Sequence, residues 1–194
     1  MPTFALVSTH RFGAAGLACI CLIAVADTGA QTNTWRQCLA DTSPAAIDAC
    51  TSIIILDPHN DGAFVNRGIA YRRVGEIDRA IHDYDEAIRL NPRAADAFNN
   101  RGNAFRERDE LDRALRDYDE AIRLDPRYAH AYNNRGIIFL EMGEVDRAIP
   151  DFNRAIAEKP DYANAFRNRG LARVYQRQYD RALEDFAEAG RLKH

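Results

Sequence analysis

Four segments of the chain read alike: AFVNRGIAY from Ala63, AFNNRGNAF from Ala97, AYNNRGIIF from Ala131 and AFRNRGLAR from Ala165. Their glycines, Gly68, Gly102, Gly136 and Gly170, stand 34 residues apart. The same interval separates Ala80, Ala114, Ala148 and Ala182, and again Pro92, Pro126 and Pro160. A fixed period of this length is one supersecondary unit copied along the chain. Such a unit cannot bury an apolar face alone, so its neighbours must stack on it and share one continuous core.

With Asp61, Ala95, Ala129 and Ala163 as position 1, each unit divides into two helical faces. Positions 4, 8 and 11 share one face in the first half, as in Phe98, Gly102 and Phe105. Positions 20, 24 and 27 do so in the second, as in Ala114, Tyr118 and Ala121. Aromatic residues alternate with Gly and Ala, which predicts knobs on one helix entering holes on the other. Glycine at position 8 costs about 1 kcal/mol of helix propensity against alanine, a loss that close helix approach would offset. Gly75 and Gly143 mark the turn between the halves. Asp78, Asp112, Asp146 and Asp180 stand where a helix N-terminus would be capped or its dipole complemented. Each proline at position 32 follows the end of the second helix.

This pattern resembles the tetratricopeptide repeat, abbreviated TPR, over about 134 residues. The resemblance implies an all-α fold, a right-handed α-solenoid of antiparallel helix pairs with a concave groove. The full repeats are expected at 61–94, 95–128, 129–162 and 163–194. Residues 31–60 fit a degenerate N-terminal hairpin, because IIILDP from Ile53 aligns with AIRLNP and AIRLDP further on. The last repeat departs from the pattern. Arg173 replaces the aromatic at position 11 and Gly190 replaces Ile at position 28, so the C-terminal end is open to self-association unless Glu184, Glu188 and Arg191 solvate it.

The first 30 residues differ from the rest. His10 and Arg11 precede the uncharged run GAAGLACICLIAVA, which ends in small residues, the layout of a secretory signal peptide. Cleavage is placed after Ala30, with Ala26 the other site; GLAC ending at Cys19 offers lipidation instead. The run is short for a membrane span, which needs about 20 residues. The expected compartment is the periplasm of a Gram-negative bacterium. Export would leave two cysteines, Cys38 and Cys50, as the simplest disulfide. The repeat register puts them at positions 12 and 24, on faces that meet, and closing that loop is worth roughly 2–3 kcal/mol in the chain-entropy model.

The recurrent polar residues divide into struts and candidate contacts. Arg67, Arg101, Arg135 and Arg169 at position 7, with Asp83, Asp117, Asp151 and Asp185 at position 23, are expected to pair first helix to second, within a repeat or between repeats. The run of acids at Asp85-Glu86 and Asp119-Glu120 reads as a solvated face. Position 6 is Asn66, Asn100, Asn134 and Asn168, on the stripe opposite the packing face. In TPR proteins the first helices line the groove, so the resemblance implies an asparagine ladder along it. A carboxamide donates and accepts, which suits an extended peptide backbone; bonds to an adjacent helix are the other use. Asn99, Asn103, Asn133 and Asn164 are expected beside the ladder as polar neighbours, with Ile69, Ile137 and Leu171 as apolar ones and His130 and Arg167 as cationic ones. Chaperone-binding TPRs set lysine and arginine with asparagine around a terminal carboxylate; here position 5 is Val65, Asn99, Asn133 and Arg167 and position 2 holds no lysine, so such a clamp is not expected.

A net charge of −3 gives no electrostatic footprint for nucleic acid. His59, His82, His130 and His194 have no metal-ligand spacing, and carboxylates that recur every repeat are scaffold first. The sequence therefore predicts a non-enzymatic scaffold without cofactor, binding a protein or an extended peptide segment, with a structural oligomerisation module whose groove holds no ligand as the other reading.

Overall fold

The computed structural model describes residues 34–38 and 44–192, all of it helix, turn or short loop. The proposed leader at 1–30 and Cys19 lie outside the described residues. A short helix, α1, covers 34–38. It is followed by α2 (Pro44–Leu56), α3 (Asp61–Arg73), α4 (Ile77–Leu90), α5 (Ala95–Glu107), α6 (Leu111–Leu124), α7 (Ala129–Glu141), α8 (Val145–Glu158), α9 (Ala163–Tyr175) and α10 (Tyr179–Arg191). Each helix pair from α3–α4 to α9–α10 falls within one 34-residue unit.

The knob-and-hole reading has a direct geometric counterpart. A Cβ built on Gly102 would lie 2.7 Å from the Tyr118 ring, and one on Gly136 would lie 2.8 Å from Phe152. Tyr84, Tyr118 and Phe152 are fully buried. Glycine at position 8 is therefore required by the approach of the aromatic at position 24, and any side chain there must push the second helix away. Between units, Phe105 joins Ile81 and Tyr84 of the preceding unit and Tyr118 of its own in one cluster. Phe139 and Phe152 repeat the arrangement with Ala172 of the following unit.

Stacking is asymmetric. First helices touch first helices of the next unit (α3 with α5, α5 with α7, α7 with α9), but no two successive second helices among the described residues are in contact. A stack that is tight on one side and splayed on the other must curve, so the first helices line the concave face.

The turn inside each unit places position 15 in the left-handed region: Gly75 at φ 82°, Asp109 at 61°, Gly143 at 76° and Arg177 at 60°. The two glycines are legible as turn residues; Asp109 and Arg177 hold the same geometry at a steric cost that glycine avoids. The aspartates at position 18 do not cap. The cap residue before α4 is Glu76 and makes no side-chain bond, and Asp78 lies in the first turn, where its charge complements the helix dipole. Asn60 does cap α3, accepting from the Ala63 amide at 2.9 Å. At the N-terminal end the Cys38 and Cys50 sulfurs are 2.11 Å apart, at disulfide distance, and both residues are buried with Ala49, Ile53 and Ala63.

Candidate functional site on the concave face

The struts come first, because they fix what the polar ladder can reach. Each position-7 arginine grips its own position-23 aspartate with two bonds: Arg101 Nε and Nη2 donate to Asp117 at 2.8 and 2.7 Å, and Arg135 grips Asp151 at 2.8 and 2.7 Å. The aspartates are nearly inaccessible, and the forked guanidinium supplies the charge-assisted bonds that make their burial tolerable. Hydrogen bonding to the aspartates raises the pKa of Arg67 and Arg135, and Arg101 is raised despite the opposing effect of burial.

The remaining nitrogen reaches back one unit, to position 25. Arg67 Nη1 donates to Thr51 at 3.1 Å, Arg101 to Asp85 at 2.6 Å, Arg135 to Asp119 at 2.6 Å and Arg169 to Asn153 at 2.8 Å. The expected pairing thus lies within the unit, and the same arginine also ties it to the one before. Asp85 and Asp119 are corrected accordingly. They are exposed, yet each is an acceptor for the next unit's arginine and not merely part of a solvated face. The guanidinium also covers the position-4 ring, as Arg101 does over Phe98 at 5.4 Å.

The asparagines do not act alike. Asn134 Nδ2 donates to Asn99 Oδ1 at 2.9 Å and to Asn103 Oδ1 at 3.0 Å, both on α5. Asn168 Nδ2 donates to Asn133 Oδ1 at 2.9 Å, on α7. Position 6 of one unit is therefore bonded to position 5 of the unit before. Asn99 and Asn133, expected as groove contacts, are 4% and 3% exposed. They are corrected to buried acceptors between first helices, and Asn134 and Asn168 to their donors. Asn103 is also engaged, accepting from the Tyr118 hydroxyl at 2.8 Å. Asn164 is exposed and accepts from Arg167 at 2.8 Å.

Asn100 and Asn66 are different. In the register of Asn134, Asn100 stands toward Val65 and Ile69, which offer no hydrogen-bonding atom in their side chains. The counterpart of Asn99 for Asn66 is residue 31, outside the described residues. Neither carboxamide has a hydrogen bond among the described residues, and both are half-buried on the concave stripe. The same junction holds the Tyr84 hydroxyl, buried without a partner among the described residues; Arg72 Nε is unpaired there too, as Arg106 Nε is at the next junction. Tyr118 has Asn103 for its hydroxyl, whereas Tyr84 has Ile69 at the equivalent place. Burial raises the Tyr84 phenol pKa well above its ordinary value.

His130, expected as a cation, is half-buried, with Nδ1 3.0 Å from the Tyr162 hydroxyl and its ring edge-on to Tyr162 and Tyr128. Burial and the nearby Lys159 lower its pKa, which favours the neutral ring. No group of acidic, histidine and cysteine residues among the described residues could hold a metal ion, and no described helix is long and apolar enough to cross a membrane.

The period, the helix pairs and the glycine–aromatic contacts agree with the known families. A "TPR repeat" profile matches residues 68–105 and 102–143, and a "Tetratricopeptide repeat" profile matches 129–162. The chain is a tetratricopeptide-repeat protein. Among solved structures it is similar to MamA, with 28% identity, a TM-score of 0.67, and 87% of this chain and 95% of that one covered. It is also similar to TTC0263, a thermophilic TPR protein of Thermus thermophilus, at 22% identity and a TM-score of 0.71, covering 82% of this chain and 89% of that one. A MamA from Desulfovibrio magneticus RS-1 matches at 18% identity and a TM-score of 0.68, covering 85% and 94%. The last two likenesses speak for the fold alone. A comparison with curated proteins finds no match. The TPR architecture is that of a protein-interaction scaffold, in a family that is generally non-enzymatic.

Proposed function

We propose that this TPR protein holds an extended peptide segment of a partner protein against the N-terminal half of its concave face. The observation that carries the reading is the pair Asn66 and Asn100, whose carboxamides have no hydrogen bond among the described residues. Their carboxamides keep both donor and acceptor on the groove, while Asn134 and Asn168 are engaged inside the scaffold. A strand passing over α3 and α5 would complete them through its own N–H and C=O groups, each bond contributing about 0.5–1.5 kcal/mol net. Ile69, half-buried beside them, suits an apolar side chain on the same strand.

The test begins with a photo-crosslinking residue at Arg73, an exposed position at the C-terminal end of α3, in cells expressing the chain. A peptide spanning the captured segment is then titrated against the purified protein. Asn66→Ala with Asn100→Ala should weaken it about tenfold, the loss of two such bonds, with an unchanged melting curve. Unaltered affinity in that double variant rejects the groove assignment.

We place the scaffold in the cell envelope, an inference supported by the basic, apolar and small-residue order of residues 10–30 and by the Cys38–Cys50 pair. Fractionation with N-terminal mass analysis checks it: a mature chain starting at Gln31 is expected, a start at Asp27 or a lipidated Cys19 would move only the processing site, and an intact cytoplasmic Met1 form refutes export.

A further inference from the structure

The last described repeat carries an apolar face that no described element covers, where a terminal repeat is ordinarily polar. On α9 and α10, Leu171 is 45%, Val174 40%, Tyr175 72%, Tyr179 58% and Leu183 66% exposed. The comparison with interior units shows that this is built in. Position 13 is Arg73, Glu107 or Glu141 inside the array but Tyr175 at the end, and position 12 is Arg72 or Arg106 in the first two units but Val174 here. Positions 17 and 21, which elsewhere hold Ile77 and Ile81 under the next unit, are Tyr179 and Leu183 with nothing over them among the described residues. Glu188 and Arg191, expected to solvate this end, pair with each other at the end of α10 and leave the patch uncovered.

The interface that this face continues is the one between units, and its polar part continues only at position 18. Every interior junction gives the incoming position-7 arginine an oxygen at position 25, from Thr51, Asp85, Asp119 or Asn153. The last unit has Ala187 there. Asp180 at position 18 keeps the place of Asp78 and Asp146, which accept from Arg108 and Gln176 of the following unit. Beside the apolar residues stand two opposite charges, Arg177 and Asp180, whose side chains have no partner among the described residues. They flank Tyr179, one on each side in sequence. A two-fold axis through the face would lay Arg177 of each copy by Asp180 of the other, and Tyr179 and Leu183 against the apolar residues of the partner. Self-complementarity of this kind is what an isologous interface requires.

We propose that two copies of the chain pair tail to tail through the α9–α10 face, with Arg177 and Asp180 as reciprocal charge pairs. The pairing is independent of the groove, whose Asn66 and Asn100 lie at the other end. Sedimentation of the full chain over a concentration series should show a monomer–dimer equilibrium that ends at the dimer. Tyr179→Glu with Leu183→Glu should abolish it, with circular dichroism showing the helices intact. Arg177→Asp alone and Asp180→Arg alone should each weaken the dimer at least about tenfold, since like charges would face each other, and the two combined should restore it. A chain that stays monomeric at every concentration overturns the proposal, because the occupant is then some other helix. So does growth beyond the dimer, which is head-to-tail addition, and so does a charge swap that fails to rescue.

Discussion

The junction between α3 and α5 and the junction between α5 and α7 share a backbone and a strut, yet they differ in what they leave free. In the second, Asn134 donates to Asn99 and Asn103, and Tyr118 also donates to Asn103, so the amide donor of Asn134 and that hydroxyl are satisfied inside the scaffold. In the first, Val65 and Ile69 take the places of Asn99 and Asn103, and Asn100 and the Tyr84 hydroxyl are left without partners among the described residues, whereas Arg72 Nε and Arg106 Nε are unpaired alike at the two junctions. The difference teaches that a repeated residue need not have a repeated role. The Asn motif is mortar at Asn134 and has no hydrogen bond among the described residues at Asn100, and two apolar residues in the unit before, Val65 and Ile69, make that difference.

Substitutions can break this comparison at several depths. The strut is common to both halves, so Asp83→Ala and Asp117→Ala should each destabilise the fold by about 3 kcal/mol, because a buried guanidinium loses its carboxylate; urea denaturation reads this, and a cost confined to one half would show that the units are not equivalent. The asparagines should then separate. Asn134→Ala leaves the buried Asn99 Oδ1 without its donor and should cost about 1–2 kcal/mol, whereas Asn100→Ala should stay within about 0.5 kcal/mol of wild type. Equal costs in thermal melts would end the distinction.

Transplanting the partner sharpens the point. Val65→Asn supplies the acceptor that Asn100 lacks, so it should lower affinity for a groove peptide several-fold while the fold persists, the opposite of what a bystander position would do. The smallest effect belongs to acid. The pKa of His130 is lowered from its unfolded value of 6.5 by burial and Lys159, so the unfolded chain takes up the proton first. The stability it contributes is intact above pH 6.5 and falls as pH drops through that value toward the folded pKa. Hydrogen exchange at about pH 5 should therefore loosen α7 and the α8–α9 turn more than α3, and His130→Gln should remove the difference.

Much of the fold was legible because packing repeats in register. Gly102 and Tyr118 stand 16 residues apart, as do their counterparts in every unit, and a ring that needs a missing Cβ can be read from spacing alone. Arg101 and Asp117 were legible for the same reason, since a buried acid needs a fixed cation. The candidate site was less so. Helical periodicity places Asn99 and Asn100 on a first helix, but says nothing about which neighbouring helix each one meets. A signal did exist in the pairs Asn99 with Asn134 and Asn133 with Asn168, and in the odd pair Val65 with Asn100; it appears only when each unit is compared with the next and not with itself.

The sequence by itself determined the helix pairs, their period, the glycine–aromatic contacts and the pairing of position-7 arginine with position-23 aspartate, though not that the pair lies within one unit, because these are interactions copied 34 residues apart. Tertiary structure alone decided the rest. Curvature follows from first helices that touch while second helices do not, the second bond of each arginine follows from stacking, and the unbonded carboxamide of Asn100 follows from Val65 and Ile69 on the preceding first helix. Those are contacts between units, and their energies depend on two positions at once, which no single helix face records.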